Sequence, residues 1–150
     1  MSLDGGPLPR SRPPWDWSAF TREQWLRELE RLGEWVDWLQ QAYRVVELPR
    51  CWPCHEGLRR ELALLWYWWL ELHEPRAPEE PVTAAEGAQW HDQLRQAATT
   101  WREYYAGCSH ENLKVDEVKH PLDRLSAERR PYMDLAWQQQ AGPGSPRRQE

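Results

Sequence analysis

The sequence predicts an all-α fold: an antiparallel three-helix bundle with short C-terminal helices and disordered termini. Three observations predict it. Apolar residues recur in alternating steps of four and three from Trp25 to Val46, and again from Leu58 to Leu72. Thr21-Arg-Glu-Gln24 and Thr83-Ala-Ala-Glu86 have the spacing of a capping box, a hydroxyl for an orphaned N–H and a side chain that reaches back. No stretch alternates apolar and polar residues as a half-buried strand does.

Residues 1–14 hold four prolines and two glycines without apolar periodicity and read as a flexible arm. The folded domain is expected over residues 15–137, with Trp15 and Trp17 as points where the arm docks. The first helix starts at Thr21 and carries Trp25, Leu29, Leu32, Val36, Leu39, Tyr43 and Val46 on one stripe. Pro49 is expected to end it. The second helix follows the Cys51–His55 turn and carries Leu58, Leu62, Leu65, Trp69 and Leu72. Trp66, Tyr67 and Trp68 make its second half apolar almost all round, as suits a central helix.

Three prolines, Pro75, Pro78 and Pro81, form a stiff connector. The third helix then carries Trp90, Leu94, Ala97 and Trp101 and stops at Gly107, a residue suited to a left-handed C-terminal cap. Val115, Val118, Leu122 and Leu125 line one or two short helices around Pro121, and Tyr132 to Trp137 make a last short turn. Residues 138–150 read as a disordered tail.

At 150 residues with a formal charge of −5, the chain fits one domain and carries no bulk attraction for polyanions. The longest uncharged apolar run, Leu62 to Leu70, is too short to cross a bilayer. The N-terminus has neither the basic start nor the apolar stretch of a secretory signal, so a cytoplasmic location without membrane contact is expected. There, three cysteines serve as thiols or ligands rather than as a disulfide framework. The 12 tryptophans point to core or interface anchoring, because each carries a large apolar area and one N–H.

Cys51-Trp-Pro-Cys54-His55 is the one dense cluster of reactive groups. It has the text of a covalent haem motif, which needs export from the cytoplasm. It also has that of a redox pair whose thiolate would be stabilised at a helix N-terminus, normally in an α/β setting that is missing here. The third pattern is a structural metal site. If the second and third helices fold back on each other, the start of one lies beside the end of the other. That fold-back sets Cys51, Cys54 and His55 near Cys108 and His110, and four of these five make a Cys₃His or Cys₂His₂ tetrahedron for zinc. His91 lies 17 residues before Cys108, about 25 Å along a helix, and is left out. The plainer alternative stays open, with the cysteines as small buried hydrophobes and the histidines as caps or surface groups.

Leu48-Pro-Arg-Cys51-Trp52-Pro53-Cys54-His55, Glu61-Leu62-x-x-Leu65, Trp90-His91-Asp92, Trp101 and Gly107-Cys108 together resemble a group of small uncharacterised proteins and domains of high-GC Gram-positive bacteria. These occur on plasmids, prophages and integrative elements, with a Cys-Trp-x-x-His pattern before a helix and Trp-His in the next. The resemblance spans roughly residues 30–110. It implies that Cys54 is a variable position, that Cys51, His55 and Cys108 are the metal set with His110 as fourth, and that Trp52, Trp90 and Trp101 are wedged between helices.

No Gly-rich phosphate loop, nucleophile elbow or His-Glu-x-x-His motif occurs, so no catalytic residue is assigned and no enzyme is expected. The expected role is a protein-interaction or structural accessory factor of a mobile element, with a protein partner or self-association. A zinc-stabilised or thiol-regulated domain is the alternative. Nucleic-acid binding through the arginines of residues 124–130 and Arg147-Arg148 ranks below both.

Overall fold

In the computed structural model, residues 11–110 and 124–141 are described, and the secondary structure among them is entirely helical. Four long helices, α1 (Arg22–Ala42), α2 (Glu56–His73), α3 (Ala84–Thr100) and α5 (Arg124–Gln140), carry the fold. A single turn, α4 (Arg102–Tyr105), continues α3, and a 3₁₀ turn at Trp52–Cys54 precedes α2.

Both capping boxes form. The Thr21 hydroxyl accepts from the Gln24 N–H at 3.2 Å while the Gln24 side chain accepts from the Thr21 N–H at 3.0 Å. Thr83 and Glu86 exchange the same pair of bonds at 3.2 and 2.8 Å. The expected stripe of α1 is the buried one, with Leu29, Leu32, Val36 and Leu39 fully enclosed. On α2 the buried face runs through Leu58, Leu62, Leu65 and Trp66, and Trp69 and Leu72 reach only its half-exposed edge. Seven tryptophans (17, 25, 35, 52, 66, 90 and 101) are buried.

The directions of the helices follow from which residues meet. Trp90 on α3 donates its indole N–H to the Leu65 carbonyl, and Trp101 donates to Glu61, so numbers rise on one helix as they fall on the other. α2 and α3 are therefore antiparallel, as the proline connector requires. α1 and α2 behave differently. Trp25 lies against Arg59, Arg31 against Trp66 and Trp35 against Trp69, so these two helices run the same way. The cause is the end of α1. It stops at Ala42 with Tyr43 as an extended cap, well before Pro49. Nine residues from Tyr43 to Cys51 span about 30 Å when extended, close to the length of a 21-residue helix. They travel alongside α3, with Tyr43 at His91, Glu47 at Tyr105 and Cys51 at Cys108.

The C-terminal region also differs from expectation. Instead of a short turn near Tyr132 and a tail from residue 138, α5 is a helix of 17 residues that continues through Gln140, and Ala141 is buried. It lies antiparallel on α1, with Trp137 against Trp25 and Arg129 between Glu30 and Asp37 at 2.7 Å each, and it covers the 3₁₀ turn. Burial disfavours the Arg129 charge, but its bonds to Glu30 and the charge of Asp37 outweigh that and raise its pKa. Of the arming docks expected at the N-terminus, Trp17 is buried and donates to the Tyr67 hydroxyl at 2.9 Å, whereas Trp15 is exposed. The short helices expected at Val115 to Leu122, the arm before residue 11 and the tail after 141 lie outside the described residues.

Candidate metal centre

Three local features deliver side chains to the corner where α2 begins and the α3–α4 segment ends. Cys51 caps the 3₁₀ turn, and the Cys54 N–H closes that turn by donating to the Cys51 carbonyl at 2.9 Å. His55 is the N-cap residue of α2. On the other side Gly107 takes φ +75°, the left-handed region open to glycine, and reverses the chain so that Cys108 and His110 point back.

The four ligand atoms of Cys51, His55, Cys108 and His110 all lie within 4.8 Å of one another, close enough to hold a metal ion. The Cys51 sulfur is 3.4 Å from His55 Nε2 and 3.6 Å from the Cys108 sulfur. A tetrahedral zinc ion with ordinary bond lengths sets two sulfurs about 3.8 Å apart, and a sulfur and a nitrogen about 3.5 Å apart. Both measured edges fall near these values. The sulfur pair is far longer than a disulfide, about 2.05 Å, and all three cysteines are free thiols. The His55 and His110 rings stand edge to face with centroids 5.1 Å apart. Nδ1 of His110 is buried without a hydrogen-bond partner, an orphaned lone pair or N–H at the edge of a donor cluster.

Burial, then the bond to Cys108, pushes the Cys51 thiol up to about 12. His55 moves below its ordinary 6.5, first through burial and then through the charge of His110, with a backbone hydrogen bond at Tyr104 acting the other way. Without a cation these surroundings favour the neutral forms of Cys51 and His55. A divalent ion reverses that preference, because it binds thiolates directly and needs the neutral imidazole.

Of the five candidate ligands, Cys54 is the one that stands apart. Its thiol donates to the Tyr132 carbonyl at 3.2 Å, tying the turn to α5, and burial raises its pKa to about 12. Both thiols of the Cys-x-x-Cys pair are thus shifted away from the thiolate that a redox pair requires. His91 is remote, as its spacing predicts; it bonds the Tyr43 hydroxyl and the Gly87 carbonyl at 2.7 Å each. Glu61, quoted in the Glu61-Leu62-x-x-Leu65 stretch but given no role there, accepts from the Trp101 indole at 3.2 Å and from the Tyr104 hydroxyl, fixing the segment that leads to Cys108. The arginines expected to contact nucleic acid are engaged elsewhere where described, Arg129 with Glu30 and Asp37, and Arg130 with Asp134. Among the described residues, no helix is long and apolar enough to cross a membrane.

No protein family, curated protein or solved structure matches the chain.

Proposed function

We propose that this protein is a helical domain clamped by one structural zinc ion held by Cys51, His55, Cys108 and His110. The observation that carries the reading is the mutual approach of these four donors from two distant stretches of chain. Two thiolates and two imidazoles are the donor set of structural zinc, and four protein ligands leave no open position for substrate or water. The role is therefore cross-linking. The ion joins the 43–55 connector and the start of α2 to the end of the α3–α4 segment.

Elemental analysis of protein purified without chelator tests this. One zinc per chain is expected, with a fall in Tm on adding a strong chelator. A stoichiometry well below one, with Tm unchanged, overturns it.

A second reading, an interaction scaffold, draws on one surface feature. Trp38 is 41% exposed and meets Tyr43 edge to face and Trp69 at a tilt, making an aromatic cluster at the end of α1. Sedimentation at rising concentration, with Trp38→Ala as the comparison, tests it through self-association; a monomer throughout removes a second copy of the chain as the partner.

A further inference from the structure

A cavity of 730 Å³ opens between the 13–18 segment, the first half of α2 and the end of α5, separate from the metal corner. Its wall contains a cation that makes no direct ion pair among the described residues. Arg59 is only 6% exposed, yet no carboxylate among the described residues pairs with it. One guanidinium nitrogen donates to the Pro53 carbonyl at 2.8 Å, and the plane lies over the Trp25 ring at 5.2 Å. Among the described residues the Pro53 carbonyl is the one hydrogen-bond acceptor of this guanidinium.

The acidic groups on the same wall are already committed. Glu56 pairs with Arg60 at 2.9 Å, and Asp16 with Arg12 at 3.1 Å. Of the four charged side chains that line the cavity, Asp16, Glu56, Arg59 and Arg60, Arg59 is the one without an ion pair among the described residues. A buried ion without a partner is costly, and an incoming anion offsets that cost.

Two further features describe the rest of the guest. Gln140 lines the cavity, and its buried Nε2 has no hydrogen-bond partner, so turning that amide towards a ligand breaks no bond. Trp15, 50% exposed, and Leu64, 45% exposed, line the cavity as large apolar surfaces. The volume lies within the range of small-molecule sites, which combine apolar walls with a few polar anchors.

We infer that this cavity is a binding site for a small organic anion with a flat apolar body, its acidic group on Arg59 and Gln140 and its body against Trp15 and Leu64. The site is independent of zinc.

Fluorescence titration of the full chain with 8-anilinonaphthalene-1-sulfonate, and with uncharged N-phenyl-1-naphthylamine, tests the inference. The sulfonate is expected to bind saturably at one site per chain. The neutral compound should bind roughly ten-fold or more weakly, the size of one lost charge-assisted hydrogen bond. Arg59→Gln should reduce sulfonate affinity by a similar factor. Because Arg59 also bonds Pro53, two surface variants keep the test sound if that protein misfolds. Trp15→Ala should weaken both compounds about equally, and Leu64→Glu, which replaces apolar wall by a carboxylate, should weaken both but the sulfonate more. Equal affinity for the two compounds, no saturable binding, or an unchanged sulfonate affinity in both surface variants overturns the inference.

Discussion

The Cys51 and Cys108 sulfurs stand 3.6 Å apart although 57 positions separate them in the chain. Nothing local accounts for this approach. It needs the antiparallel return of α3 along α2, the connector that follows α3, and the left-handed turn at Gly107. If the pair exists to hold zinc, its loss must act on the whole domain. Cys108→Ser is expected to abolish zinc retention and to lower stability by about 4 kcal/mol, the linkage from an ion present at a thousand times its Kd. Cys54→Ser should keep full stoichiometry, since a serine hydroxyl also donates to the Tyr132 carbonyl. Metal analysis and thermal unfolding of the two variants check both statements.

The caps offer a simpler test. Thr83 starts α3 directly after the connector, and its hydroxyl and N–H are both bonded to Glu86. Thr83→Ala is expected to cost about 1 kcal/mol, and Thr83→Asn much less, because asparagine also caps. Denaturant unfolding with an unchanged m-value checks this, and a cost near zero would show that α3 is held by packing alone.

The caps, the apolar stripe of α1 and the approach of the Cys51–His55 turn to Cys108 and His110 share a reason for being legible in sequence: each depends on short spacings or on a single fold-back. Cys54 was harder, because three donors within five residues look alike until α5 claims one of them. The parallel course of α1 and α2 was not legible. Val46 continues the stripe of α1 in register and is buried, but as part of a connector rather than a helix, so burial alone misplaces the helix end. α5 was missed for a different reason. Its apolar positions are few, and its main anchor is an arginine, which no apolar periodicity reveals.

Metal-free protein should be acid-sensitive through His55. Its folded pKa lies below 6.5, for reasons of burial first and the nearby His110 second. A base with a depressed folded pKa binds protons more readily when unfolded, so stability is full above 6.5 and is lost as pH falls towards the folded value. Unfolding in the presence of chelator, from pH 7.5 to 5, should show this loss, and His55→Gln should flatten it. An identical slope in the variant would assign the acid sensitivity to other groups.

Gly33 and Arg129 make the tightest join between α1 and α5. A Cβ on Gly33 would overlap the Arg129 side chain, whose guanidinium crosses α1 there to reach Glu30 and Asp37. Elsewhere in a helix, glycine to alanine gains up to about 1 kcal/mol of helix propensity. At this position the overlap should win, with Gly33→Ala costing about 1–3 kcal/mol, the usual range for overpacking. Arg129→Ala should cost about 3 kcal/mol, because it leaves two partly buried carboxylates facing each other without their cation. The two effects share one cause, so they should not add. In the Arg129→Ala background, Gly33→Ala loses its three nearest obstacles and should become neutral or stabilising. A double-mutant cycle by denaturant unfolding measures this coupling. Strict additivity would mean that the arginine does not lie against Gly33 in solution, and that α5 is held to α1 by its apolar contacts alone.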